Sequence, residues 1–349
     1  MDIFQFAKEL NVSPTTVSRA ISGKGRISAR TRELVLSRMS EHSYVPNPCA
    51  QQVATGRSGM VALYLPNERA ISDSFALQMI KGVQRALHDC GSALVLDSAD
   101  ESRKASPILQ WVTSGAIDGV VLITGDEESI AQANQHASAS SPYVLYTNMD
   151  GEANVVAASE SPYIGAVILD TDRGAREVAK MLVGLGHKRI GFITVGSEFD
   201  GVFAGFSREL SNLGVLIDDA FIPCEQSTHA DGAKALRQLM SRAQTPTAVF
   251  CRNDDLASGA LSEAKSLGIR VPEQLSIVGH DDTPIAALLD PPLTSVQVDC
   301  YEIGRMIVET LQDLTAASAT PEKVRHSTPR LIMRQSVASV PRHSLGQHV

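Results

Sequence analysis

The chain has 349 residues, 43% hydrophobic and 20% charged, which excludes a disordered or fibrous polymer and leaves room for two or three folded domains. The net charge of −8 taken alone argues against nucleic-acid binding. The charge is unevenly placed, however. Residues 1–60 hold eight lysines and arginines against four carboxylates, so this stretch is +4 and the rest of the chain is −12. A basic head on an acidic body points to a polyanionic partner for the head alone.

From Ile3 the apolar residues Ile3, Phe6, Ala7 and Leu10 recur at helical spacing, with Asp2 placed to cap. Ser13 then caps a second helix with Pro14 at its first position, where a missing N–H removes no hydrogen bond. Val17, Ala20 and Ile21 form its buried side, and Thr15, Thr16, Ser18 and Arg19 are left outside. Ser22-Gly23-Lys24-Gly25 ends it. Ser28 caps a third helix carrying Leu34, Val35 and Met39. Two short helices around a tight turn, braced by a third, predict an all-α helix-turn-helix head. Its outer face suits a major groove. Arg19 can offer two donors to guanine, Thr15 and Thr16 can meet base edges or a thymine methyl, and Ser13, Ser18, Ser28 and Thr31 suit phosphates.

Asn47 and Pro48 open a segment through Ala54 that Thr55-Gly56 stops. At under two turns it is a marginal helix, expected to form when docked on DNA, with Val53 as an apolar wedge in the minor groove.

From Val61 apolar strands alternate with helical stretches. The strands are Val61–Leu65, Leu94–Leu96, Val120–Ile123, Val144–Tyr146, Ala166–Leu169, Ile190–Ile193, Ala248–Phe250 and Ser276–Val278. The helices include Ala76–Cys90, Arg173–Leu185, Asp231–Ser241 and Leu256–Leu267. That pattern predicts parallel sheets covered on both faces, in two Rossmann-like α/β lobes. Asn253 and Asp254 follow one strand, and His280, Asp281 and Asp282 follow another, where ligands of open α/β sheets bind.

These motifs carry a family resemblance. SPTTVSRAISG, RIS-x-x-TR and Y-x-PN in the head resemble the LacI/GalR family of bacterial transcription regulators. In the body SGAIDGVVL from Ser114, DTDRGAREVAKMLVGLGHKRIGFI from Asp170, PTAVFCRNDDLASGAL from Pro246 and VPEQLSIVGHDDTPIAALLDPPLTSV from Val271 extend it over nearly the whole chain. The resemblance implies a head at 1–46, a hinge at 47–59 and a periplasmic-binding-protein-like body at 60–349. It places the lobes at about 60–162 with 291–322, and 163–290 with 323–340. It implies a homodimer on double-stranded operator DNA, released or recruited by a carbohydrate-like effector between the lobes. Pro14, Arg26, Tyr44, Asn47 and Ala50 complete the implied DNA-binding set, and Asn253 and Asp281 are the implied effector contacts.

The chain departs from the family at five places. Val53 replaces the hinge leucine and Gln5 an aspartate. Val202 stands where an arginine commonly anchors a sugar. Ile71-Ser72-Asp73-Ser74-Phe75 replaces an Asn-Pro-Phe-Phe segment, leaving Ser74 and Phe75 as ligand candidates, and the stretch 148–161 is longer than usual.

No cofactor or metal is expected: the five cysteines form no CxxC pair, and adjacent His280, Asp281 and Asp282 cannot converge on one ion. An enzyme reading has little support, since Gly184-x-Gly186 lies at a helix end before a strand, the reverse of a dinucleotide motif. A transporter's binding protein would begin with a secretory segment where this chain has its helix-turn-helix, so a cytoplasmic location without membrane contact is expected. An effector-dependent activator, or a co-repressed regulator with a non-sugar ligand, is the alternative.

Overall fold

A computed structural model of the chain describes residues 1–23, 25–42, 44, 56–65, 74–98, 108–123, 127–148, 161–196, 201–215, 221–316 and 322–340. The hinge residues Asn47, Ala50 and Val53, and 149–160 of the longer stretch, lie outside them.

The head forms as its caps dictate. Helix α1 (Ile3–Glu9) opens on a capping box, in which the Gln5 N–H donates to Asp2 and the Gln5 side chain accepts from the Asp2 N–H. Gln5, the departure from the family, therefore closes the first turn. Helix α2 (Pro14–Ser22) starts at Ser13, whose hydroxyl accepts from the Thr16 N–H at 3.0 Å, and stops at Gly23 in the left-handed region. Helix α3 (Ala29–Glu41) starts on Ser28 in the same way. Phe6, Ala7, Val17, Ala20, Val35 and Tyr44 close the core. Of the α3 apolar residues, Val35 is buried and Met39 half-buried, whereas Leu34 is exposed.

The first body sheet contains β1 (Met60–Leu65), β2 (Ala93–Ser98), β3 (Gly119–Ile123), β4 (Tyr143–Asn148), β5 (Ile164–Leu169) and β11 (Val324–Ser327), all parallel, in the order β11-β5-β4-β3-β1-β2. Helices α4 (Ser74–Asp89) and α11 (Cys300–Thr315) cover one face, α5 (Ile108–Thr113) and α6 (Glu127–His136) the other. The second sheet contains β6 (Ile190–Val195), β7 (Phe221–Cys224), β8 (Ala248–Cys251), β9 (Ser276–Asp281), β10 (Thr294–Gln297) and β12 (Arg330–Ile332), in the order β12-β10-β9-β8-β6-β7. Here β10 and β12 pair antiparallel and the other neighbours are parallel. It lies between α7 (Thr171–Gly184) with α8 (Gly201–Asn212) and α9 (His229–Met240) with α10 (Asp254–Ser266).

The lobe boundaries differ from those expected. Ile164–Leu169 pairs with β4, so the first lobe runs on through 169 rather than ending at 162. Thr294–Gln297 pairs with β9 and belongs to the second lobe, while the α11 that follows packs on α4 of the first. Val324–Ser327 pairs with β5, so the first lobe regains the chain beyond 322 before β12 returns to the second. The chain thus crosses after Leu169, between Gln297 and Cys300, and between Ser327 and Arg330. An apolar run fixes that a segment is a strand but not which sheet edge supplies its partner.

Candidate DNA-reading head and effector cleft

On the head, the N-terminal cap of α2 aims the residues that sequence reasoning assigned to DNA. Thr15 and Arg19 are exposed and one turn apart, with Ser18 beside them half-buried. Gly25, with φ +90°, gives Arg19 room: a Cβ there would lie 3.2 Å from the Arg19 Cδ and Nε. Ser13 and Ser28 each spend their oxygen on a cap and pair with the Thr16 and Thr31 hydroxyls at 2.8 and 2.7 Å, so these four act first as helix-end organisers. Arg26 is exposed and Pro14 half-buried. Tyr44 needs correction as a DNA contact. Its ring stacks on Phe6 at 4.3 Å with only 6% of the residue exposed, so it is a core element of the head.

In the body, Asp281 at the end of β9 and Asp282 just after it have φ of +92° and +51°, a left-handed conformation that side chains rarely adopt. The loop is held from beneath by Asp254, 1% exposed, which sequence reasoning passed over in favour of its neighbour. One Asp254 oxygen accepts from the Thr283 N–H at 2.6 Å and the Thr283 hydroxyl at 3.0 Å, and the other accepts from the Ser295 hydroxyl at 2.6 Å. Ser295 in turn accepts from the Asp282 N–H at 3.2 Å. The Nδ1–H of buried His280 donates to Asp281 at 2.7 Å. Arg334 pairs with Asp282 at 2.6 Å.

Burial, and secondly the charge of Asp281, push the Asp254 carboxyl up to about 8 against the donors that lower it. Its folded-state value is therefore raised. The proton it keeps favours folding fully below the unfolded value near 4, and that contribution is lost as pH rises through about 8. Replacing Asp254 with Asn should flatten the stability profile across that window. Urea midpoints for both proteins near pH 5 and near pH 8 check it, and parallel profiles would contradict it.

A cavity of about 370 Å³ lies between α4 of the first lobe and the loops after β9 and β10 of the second. Two of the four expected effector residues, Asp281 and Phe75, line it. Asn253 does not. Its side-chain oxygen accepts from the Leu256 N–H at 2.9 Å and caps α10. Ser74 does not line it either, because its hydroxyl reaches across to Asp255 at 3.0 Å and ties the lobes together. Val202, in the position of the missing arginine, is 1% exposed in an aromatic cluster with Phe192, Phe203, Phe206 and Phe250. Cations do reach the cavity, but from α4, as Lys81 and Arg85. Their i,i+4 spacing was legible in the sequence.

Two family models match the chain: "Bacterial regulatory proteins, lacI family" over residues 3–47 and "Periplasmic binding protein-like domain" over 150–337. The HTH-type transcriptional regulator DegA of Bacillus subtilis (strain 168) is 30% identical over 344 residues, covering 96% of this chain and 98% of its own. The solved complex of the transcriptional regulator CelR with cellobiose is 26% identical, with TM-score 0.67 over 96% of this chain and 99% of that one. The Lac repressor dimer bound to operator and the anti-inducer ONPF has TM-score 0.75 over 97% and 99%, and at 23% identity it shows the shared fold. No helix among the described residues is long and apolar enough to cross a membrane. With its helix-turn-helix head and two-lobed body, the chain belongs to the lacI family of bacterial regulatory proteins and is a DNA-binding transcriptional regulator.

Proposed function

We propose that the protein is a homodimeric repressor of a pseudo-palindromic operator, with a head at 1–46, a hinge at 47–59 and an effector-binding body beyond. Each α2 enters one major-groove half-site with Thr15 and Arg19 toward the bases and Ser18 toward a phosphate. A sugar or sugar derivative enters between the lobes against Asp281, and the change in lobe angle alters how the paired hinges sit on DNA. The inter-lobe cavity is the observation that carries this reading, because it joins both lobes around a strained, braced aspartate. The sugar-bound CelR complex and the operator-bound Lac repressor dimer support it by analogy. Such a protein works at the nucleoid.

The Arg19→Ala variant should lose about 1–3 kcal/mol of operator affinity and its preference at one base pair per half-site. Titration against operators mutated singly at each position checks this, and unchanged discrimination everywhere would rule out the proposed orientation of α2. For the body, a thermal-shift panel of sugars, sugar phosphates and nucleosides identifies compounds that stabilise the protein. Asp281→Ala should abolish their effect on DNA binding while leaving effector-free operator affinity within about threefold of wild type. A full response by the variant would place the effector elsewhere.

A further inference from the structure

The cavity between the lobes carries more charge than a neutral sugar requires, and the charges are unevenly committed. Three carboxylates line it, and each already has a partner. Asp282 pairs with Arg334 at 2.6 Å. Asp281 accepts from His280 at 2.7 Å. Asp299 caps α11, accepting from the Glu302 N–H at 3.0 Å. The two lining cations have no such commitment. Lys81 and Arg85 sit one turn apart on α4, and among the described residues neither forms an ion pair. The Arg85 guanidinium lies 5.0 Å over the ring of Tyr301, whose hydroxyl donates to Asp89 at 3.3 Å. The ring therefore holds the guanidinium at the cavity mouth.

The backbone fixes this pair against the second wall. Gly82, between them in sequence, lets α4 touch the start of α11: a Cβ there would lie 2.0 Å from the Cys300 carbonyl oxygen. The next residue after Cys300 is Tyr301, so the close crossing sets the spacing of both cations from the cavity's far side. The arginine that the family commonly supplies is replaced by buried Val202, and the cations that line the cavity are Lys81 and Arg85 of α4.

From this we infer that the cleft contains an anion subsite at Lys81 and Arg85, and that the effector carries a phosphate or carboxylate group there while its hydroxyls meet Asp281. The inference rests on the reading that this cleft is the effector site. A guanidinium forks onto two oxygens of one phosphate or carboxylate, and a lysine one turn away adds a third charged donor to the same group.

Isothermal titration of the full chain tests this with orthophosphate, with gluconate, and with the pairs ribose and ribose 5-phosphate, glucose and glucose 6-phosphate. At least one phosphorylated sugar or gluconate should bind about tenfold more tightly than its neutral counterpart. The double variant Lys81→Gln, Arg85→Gln should remove that preference, and Lys265→Gln, on α10, should leave it intact. Orthophosphate binding that the double variant loses marks a phosphate site, and a response to gluconate alone marks a carboxylate site. If no anionic probe binds at millimolar concentration, or the double variant binds them as wild type does, the subsite is overturned. Neutral-sugar binding that is lost in Asp281→Ala, without an anion preference, overturns the subsite and keeps the cleft as effector site. Anion binding that needs Lys81 and Arg85 but ignores Asp281→Ala supports the subsite and contradicts the cleft reading.

Discussion

Gly82→Ala will lower the unfolding midpoint of the body by roughly 6–12 °C, from a loss of about 3 kcal/mol or more. The added methyl would sit 2.0 Å from the carbonyl oxygen of Cys300 and 2.6 Å from its carbon, both backbone atoms that cannot rotate away. Relief requires α4 and α11 to separate, and these helices enclose one side of the first-lobe core, where Met79, Val83, Ile303 and Ile307 are at most 1% exposed. Gly304 faces the same crossing from α11, with Gly82 backbone atoms 2.4 Å from its ideal Cβ. Gly184→Ala is the matched control, because nothing lies within 4 Å of its Cβ position at the end of α7. That substitution should be neutral or stabilise by about 0.5 kcal/mol through the unfolded chain. Thermal melts of the three proteins check the pair, and equal midpoints for Gly82→Ala and wild type would mean that the helices do not cross this closely.

Phe6→Ala is the second large effect, and it should separate the head from the body. Phe6 is fully buried, stacks on Tyr44, and meets His42 edge-on at 6.1 Å between ring centroids. Truncating a buried phenylalanine costs about 3–5 kcal/mol. A three-helix head of this size has a small core and little stability in reserve. Operator affinity should therefore fall by ~100-fold or more, with the body's melting midpoint and ligand binding unchanged. Gel shifts and calorimetry on the same preparation read both halves. Operator binding within about threefold of wild type would mean that the cluster around Phe6 does not hold the head together.

Local chemistry was the legible part of this protein. The Asp2, Ser13 and Ser28 caps, the Pro14 start and the Gly23 stop were all readable, because each is decided within one helical turn. Alternating apolar strands and helices likewise gave two α/β lobes. What spacing alone could not supply was partnership across the chain. The strand at Ile164–Leu169 could serve either sheet on composition, and β10, β11 and β12 are too short to announce themselves. The amphipathic α11 was not singled out, so the crossing at Gly82 was invisible. The site shows the same division. Asp281 and Asp254 both follow strands, and the family resemblance singled out Asp281, whereas Asp254, which braces its loop through Thr283 and Ser295, looks like one more polar residue beside Asn253. Asn253 and Ser74 have donors and acceptors suited to a ligand, yet one caps a helix and the other bridges the lobes. Tyr44 looked like a surface contact because the sequence does not show the Phe6 ring beneath it.

The measurement that tests the central claim most directly is selection of bound sequences from a random DNA library by the full chain, followed by equilibrium competition between the enriched site and a scrambled duplex. A regulator that reads DNA through α2 should enrich a pseudo-palindrome and prefer it by about a thousandfold or more, with affinity falling steeply as salt rises. Failure to enrich any sequence, or equal affinity for the scrambled duplex, would contradict it.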